Sequence, residues 1–195
     1  MRVIKDLFHD EGVQETVILS AQTGPSILKD EVHWALRQMK TGKAPGPDEI
    51  CVEMLLALEE EGINMLWQIC NRVYESGIFP RQMLLSIFIT LPKIPGTLDC
   101  SSHRTISLMS QILKILLKII FKRIRRQLLP EISVNQYGFM KDCGTRNAIF
   151  IIRILSERAI EHQQDVYVAF IDYTKAFDKV KHIELFRMLK NIQID

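Results

Sequence analysis

Cysteine is scarce and never paired: Cys51, Cys70, Cys100 and Cys143 form no Cys-x-x-Cys. That argues against a zinc ribbon and points to free thiols in a reducing compartment. Long apolar runs are also missing. The most apolar stretch is interrupted by Lys114, Lys118 and Lys122, so nothing reaches membrane-spanning length. The first residues, Met-Arg-Val-Ile-Lys-Asp, carry charge where a secretory signal needs an apolar segment. There is no internal repeat and no low-complexity tract. These absences together read as a soluble, intracellular chain with no membrane partner. Oligomeric state is left open. One further absence is local. No Asp or Glu occurs between Cys100 and Pro130, although seven Lys or Arg do.

What is present is an ordinary globular composition. The 195 residues are 47% hydrophobic and 25% charged, enough for one sizeable core. The net charge of +2 hides an asymmetry. Residues 1–62 hold 12 acids and 6 bases, and the remainder holds 11 acids and 19 bases, which is −6 against +8.

Periodicity orders the chain. Residues 1–27 are poorly patterned and read as a lead-in. Leu28 to Lys40 reads as a helix, with Leu28, Val32, Ala35 and Met39 on one face and Gly42 as its stop. A rigid two-proline loop follows, Lys43 to Asp48. Helices are expected near Ile50 to Glu60 and Ile63 to Glu75, punctuated by Gly62 and Gly77. Ser86 to Leu91 reads as a strand, followed by a turn-rich loop to Arg104. Ser110 to Leu129 is the longest helix, then a connector from Ser133 to Phe139. Another helix spans Thr145 to Gln163, with Ile149, Ile152, Leu155 and Ile160 apolar. A last helix from about Lys179 to Lys190 turns Ile183, Phe186 and Leu189 inward. Helices with a few strands indicate an α+β class, mostly helical.

Two features carry chemistry. Lys114, Lys118, Lys122 and Arg126 fall on one helical line. This is either a solvated face of a core helix or a track for a polyanion, each phosphate neutralised adding affinity through counterion release. The second feature is Val166-Tyr-Val-Ala-Phe-Ile-Asp172, an alternating strand pattern that ends in a carboxylate. Charge at the tip of a buried strand is costly unless paired. A divalent cation pairs well with hard oxygen ligands. The plain alternative is that Asp172 caps a turn and Asp178 caps the next helix.

Six blocks in order then resemble the reverse transcriptase domain of non-LTR retrotransposons, especially RTE or BovB-like elements. They are Thr41-Gly-Lys-Ala-Pro-Gly-Pro-Asp48, Ser86-Ile-Phe-Ile-Thr-Leu-Pro-Lys93, His103-Arg-Thr-Ile-Ser-Leu108, Asn135-Gln-Tyr-Gly-Phe139, Gly144-Thr145 and Phe170-Ile-Asp-Tyr-Thr-Lys-Ala-Phe-Asp178. The resemblance covers about residue 28 to the end. It implies a right-hand polymerase fold, with fingers over about 28–163 and the start of a palm over about 164–195.

By the same resemblance, Asp172 is the first catalytic, metal-binding aspartate. The Ile171 backbone carbonyl helps hold Mg²⁺ in a two-metal site. Lys93 and Arg104 sit over the incoming triphosphate, and Phe177 is the aromatic gate that disfavours a ribose. Lys43, Gln136 and Gly138 lie near the nucleic-acid strands; Lys114, Lys118 and Lys122 are candidate contacts from the charge line described above, not from the resemblance. The partners implied are an RNA template, a DNA primer and deoxynucleoside triphosphates.

The sequence also departs from the pattern. The family's Tyr-x-Asp-Asp segment is not among these residues, and no Asp-Asp pair occurs. Met83, Leu85 and Met140 stand where the family usually has Trp, Lys and Arg. The expectation is a chain inactive by itself, with RNA or DNA binding without catalysis as the alternative. A strand at Tyr167 to Ile171 without neighbours would leave an exposed edge and apolar surface.

Overall fold

A computed structural model describes residues 24–96, 102–173 and 176–194. Their architecture is mixed helix and sheet, mostly helical. The chain divides into two compact units, residues 1–126 with 193–195, and residues 127–192.

The first unit opens with α1 (Lys29–Arg37). Its Glu31 carboxylate accepts the Leu28 N–H at 2.9 Å, closing the first turn in the manner of a capping box. Of the apolar line predicted for this helix, Val32 and Ala35 are fully buried and Met39 partly so, while Leu28, at the N-cap, is 64% exposed. A short α2 (Val52–Leu56) and a long α3 (Glu60–Ser76) follow. Gly77 ends α3 in the left-handed region, at φ 65°, the conformation glycine adopts without penalty. The last long helix of the unit is α5 (Gln111–Leu128). Between them lie α4 (Arg81–Leu84), β1 (Ser86–Pro92) and β2 (His103–Met109).

The core of this unit gathers Val32, Ala35 and Leu36 of α1, Leu66, Cys70 and Val73 of α3, and Ile115, Leu116 and Ile119 of α5. Burial pushes the Cys70 thiol up to about 11. Ile27 is 1% exposed and belongs to the same core. Its backbone is held at both ends by Asn71: the Ile27 N–H donates to Asn71 Oδ1 at 2.6 Å, and Asn71 Nδ2 donates to the Ile27 carbonyl at 2.9 Å. The packed unit therefore begins before residue 28, because side-chain amides supply bonds that periodicity does not register. Residues 1–23, the rest of the expected lead-in, lie outside the described residues.

β1 and β2 pair antiparallel, from Ser86 opposite Met109 to Pro92 opposite His103. The second strand was expected to be loop in its first residues. Its signal was the alternation of Ile106 and Leu108 with Thr105 and Ser107, which needs β1 alongside to become a ladder. Residues 97–101, within the expected loop, are outside the described part.

The second unit contains a 3₁₀ turn (Leu129–Glu131), α6 (Thr145–Glu161), a 3₁₀ turn (Phe177–Lys179) and α7 (His182–Asn191). Among its described residues none is buried. The inward-facing assignments of Ile183 and Phe186 are therefore corrected, since both are exposed, and the apolar positions Ile149, Ile152, Leu155 and Ile160 are exposed as well. Leu189 is half-buried. The helices form as their periodicity predicts, but their apolar stripes face no packed layer.

Val166 to Asp172 is a second correction. It runs as exposed chain without ladder bonds, not as a strand. The residue pattern suits a strand, yet a strand exists only beside a partner. Among the described residues the sheet has two strands, β1 and β2.

Candidate nucleic-acid and nucleotide site

Lys93 and Arg104 are brought together by the β1–β2 register. Arg104 stands opposite Leu91. The Lys93 N–H donates to the Ser102 carbonyl at 2.8 Å, which continues the ladder one rung beyond Pro92. Lys93 lies two positions past Leu91 along the chain, just beyond the end of β1. The two are diagonal neighbours, at a spacing of about 7–8 Å between backbones. Two long cationic side chains can thus address one polyphosphate.

The basic line on α5 is formed, and its members differ. Lys114 and Lys118 are half-buried and Lys122 is exposed. The Lys122 ammonium lies 4.0 Å from the centre of the Trp34 ring, a cation–π contact that engages it within the protein. Arg123, next in sequence, points to the other flank. Its Nε donates to Glu31 Oε1 at 2.8 Å, and its Nη1 donates to the Pro25 carbonyl at 2.6 Å. The acid-free stretch therefore has a counter-charge, supplied from 92 residues away. Glu31 is correspondingly held below the usual carboxylate range, first by the Arg123 hydrogen bond. Sequence reading missed Arg123 because its partner is remote.

The loop that carries Lys43 is docked on the β2–α5 joint. A Cβ at Gly46 would lie 2.6 Å from the Met109 carbonyl carbon and 2.6 Å from the Ser110 nitrogen. Gln111 Nε2 donates to the Ala44 carbonyl at 3.2 Å. Lys43 itself is exposed.

In the second unit, Gln136 Nε2 donates to the Gly138 carbonyl at 3.1 Å, so these two predicted residues form one local turn. Phe177 meets Phe139 edge-on, ring centres 6.0 Å apart. That geometry is favoured by the ring quadrupoles. It joins the Asn135–Phe139 block to the Phe170–Asp178 block. Phe139 was not singled out from sequence. Phe177 is 78% exposed.

Asp172 is exposed in the extended segment. The N-caps of the following 3₁₀ turn and of α7 are Ala176 and Lys181. Lys181 in that place also removes Asp178 from the N-cap of α7. Among the described residues no three His, Cys, Asp or Glu side chains gather into a metal site. The Asp172 carboxylate and Ile171 carbonyl are hard oxygen donors. They suit Mg²⁺ in kind but are too few to cage it. No helix among the described residues is long and apolar enough to cross a membrane.

Comparison with known proteins gives the family. Residues 91–195 match the family described as reverse transcriptase (RNA-dependent DNA polymerase). The chain is 28% identical over 173 residues to the probable RNA-directed DNA polymerase from transposon BS of Drosophila melanogaster, covering 85% of the chain and 19% of the relative. It is 26% identical over 170 residues to the RNA-directed DNA polymerase from mobile element jockey of the same species, covering 86% and 19%. It is 30% identical over 162 residues to the probable RNA-directed DNA polymerase from transposon X-element, covering 80% and 17%. The chain spans about a fifth of the length of the curated relatives it matches. With these matches running through the hairpin, the basic helix and the Asp172 segment, the chain belongs to the reverse transcriptase family, in its non-LTR retrotransposon branch.

Proposed function

We propose that the chain supplies the fingers and first part of the palm of a right-hand RNA-directed DNA polymerase, which extends a DNA primer on an RNA template with deoxynucleoside triphosphates. The observation that supports this reading is the β1–β2 hairpin, in which Arg104 stands opposite Leu91 and the Lys93 N–H bonds the carbonyl of Ser102, two residues before Arg104. Negative charge spreads over phosphate oxygens during phosphoryl transfer, and fixed cations beside them lower the barrier. Arg offers a planar fork to phosphate and Lys a point charge. Asp172 and the Ile171 carbonyl would lend two oxygens to a Mg²⁺ that aligns attacking and leaving groups. The Phe177 ring would occupy the volume of a ribose 2′-hydroxyl. Gln136, Gly138, Lys43 and the Lys114, Lys118, Lys122 line would contact the strands.

Because no Asp-Asp pair occurs in these 195 residues, we expect no primer extension from them alone. The test uses a polypeptide continued through a Tyr-x-Asp-Asp segment. Asp172→Ala should abolish extension. Arg104→Ala should lower kcat/KM for the nucleotide by on the order of 10²-fold. Undiminished extension by the Asp172 variant would overturn the metal assignment.

A second reading, strand binding without catalysis, is favoured by the acid-free run of bases along α5. It predicts RNA affinity that falls steeply with salt and falls further when Lys118 and Lys122 are both replaced.

A further inference from the structure

We infer that Gln111 and Gly46 are positioning residues: they pin the Thr41–Asp48 loop to the head of α5, so that Lys43 extends the Lys114–Lys118 line into one phosphate-binding track. This rests on the reading of that line as a nucleic-acid contact.

Gln111, Lys114, Lys118 and Lys122 fall at spacings of three, four and four, on one line of the helix. Three are cations. The first is an amide, and it is 1% exposed. A buried amide donor is costly unless it is bonded, and Gln111 spends its donor on the Ala44 carbonyl. On the other side of Lys43, the Gly42 N–H donates to Glu53 Oε1 at 2.6 Å. The residues flanking Lys43 are thus both held by side chains from helices, while Lys43 is exposed.

Gly46 makes the seat possible. Its missing Cβ is the space in which the loop meets the Met109–Ser110 backbone, and backbone at a strand–helix joint cannot step aside. Ser110 fixes that joint: it is fully buried, and its Oγ accepts the Leu113 N–H at 3.5 Å. Lys114 lies only about 4.5 Å of helix rise beyond Gln111. At the far end of the line Lys122 rests against the Trp34 ring and stays exposed, and at the near end the line meets the loop that carries Lys43.

The test is binding of the 195-residue chain to a labelled single-stranded RNA, with Kd measured across a KCl series. Lys43→Ala should lower the slope of log Kd against log salt by about 0.7, one phosphate. Gln111→Leu, which keeps volume and removes the donor, should reproduce that loss with Lys114 and Lys118 intact. In the double variant Lys43→Ala should then have no further effect. Independent, additive losses would overturn the proposal. Should Gln111→Leu fail to fold, the exposed anchor decides. Glu53→Ala and Glu53→Gln lose the same charge, but only the glutamine keeps an acceptor for Gly42. Lys43 should fall silent in the alanine variant alone, and equal behaviour of the two overturns the proposal. A slope that ignores Lys43 but responds to Lys114→Ala and Lys118→Ala removes the positioning role and leaves the binding reading standing. A slope that ignores all three removes both.

Discussion

Arg123 joins three stretches of the first unit through one guanidinium, reaching Glu31 and the carbonyls of Pro25 and Ser26. Both partners of the ion pair are largely covered, with side chains 24% and 19% exposed. Removing the cation leaves a carboxylate and two carbonyls short of a donor, so Arg123→Met should cost about 2–3 kcal/mol at neutral pH. Its pH dependence has a defined sign. The Glu31 carboxyl is held below its ordinary value of 4.5 when folded, by the Arg123 hydrogen bond first, with burial opposing. A depressed folded value means stability present above 4.5 and lost as pH falls through the lower folded value. Urea midpoints should therefore show the gap between the parent chain and Arg123→Met narrowing from pH 5 to pH 3. A gap constant over that range would remove Glu31 as the partner that matters. Neither Arg123 nor Asn71 stood out in the sequence, because each acts on a backbone or charge far along the chain. Lys93 and Arg104 did stand out, but only the hairpin brought their backbones near one another.

At the scale of elements, the helices were legible and the strands only half so. Apolar spacing marked α1, α3, α5, α6 and α7, since a helix makes its hydrogen bonds within itself. The β1 run was apparent from its apolar, β-branched residues. β2 and the absence of a strand at 166–172 were not apparent, since both depend on which segment lies alongside. The hairpin remains thinly supported. Both faces expose side chains, Ile87 and Ile89 on one and Phe88 on the other. Two-stranded ribbons are marginal without a packed face. Amide hydrogen exchange should therefore release β1 and β2 at least about tenfold sooner than the core of α3. Equal protection would mean that the hairpin unfolds only with the helices.

At the scale of the molecule, the two units differ in kind. The first has a core that runs from Ile27 to Ile119, and the second has no buried residue among those described. A protease of broad specificity should cut within 127–192 first and leave a product ending near residue 126 whose thermal melt keeps its midpoint. Loss of cooperative melting on that cleavage would show that the second unit supports the first. The amino-acid sequence by itself determined the helical segments, the order of the family blocks and the identity of the charged residues, because these rest on local spacing and side-chain chemistry. Tertiary structure alone decided that Gly46 meets the Met109–Ser110 backbone, that Gln111 is buried and bonds the Ala44 carbonyl, that Arg123 pairs with Glu31, and that no described strand lies beside the Asp172 segment. Those outcomes depend on contacts between residues tens of positions apart, and a linear spacing carries no record of such distances.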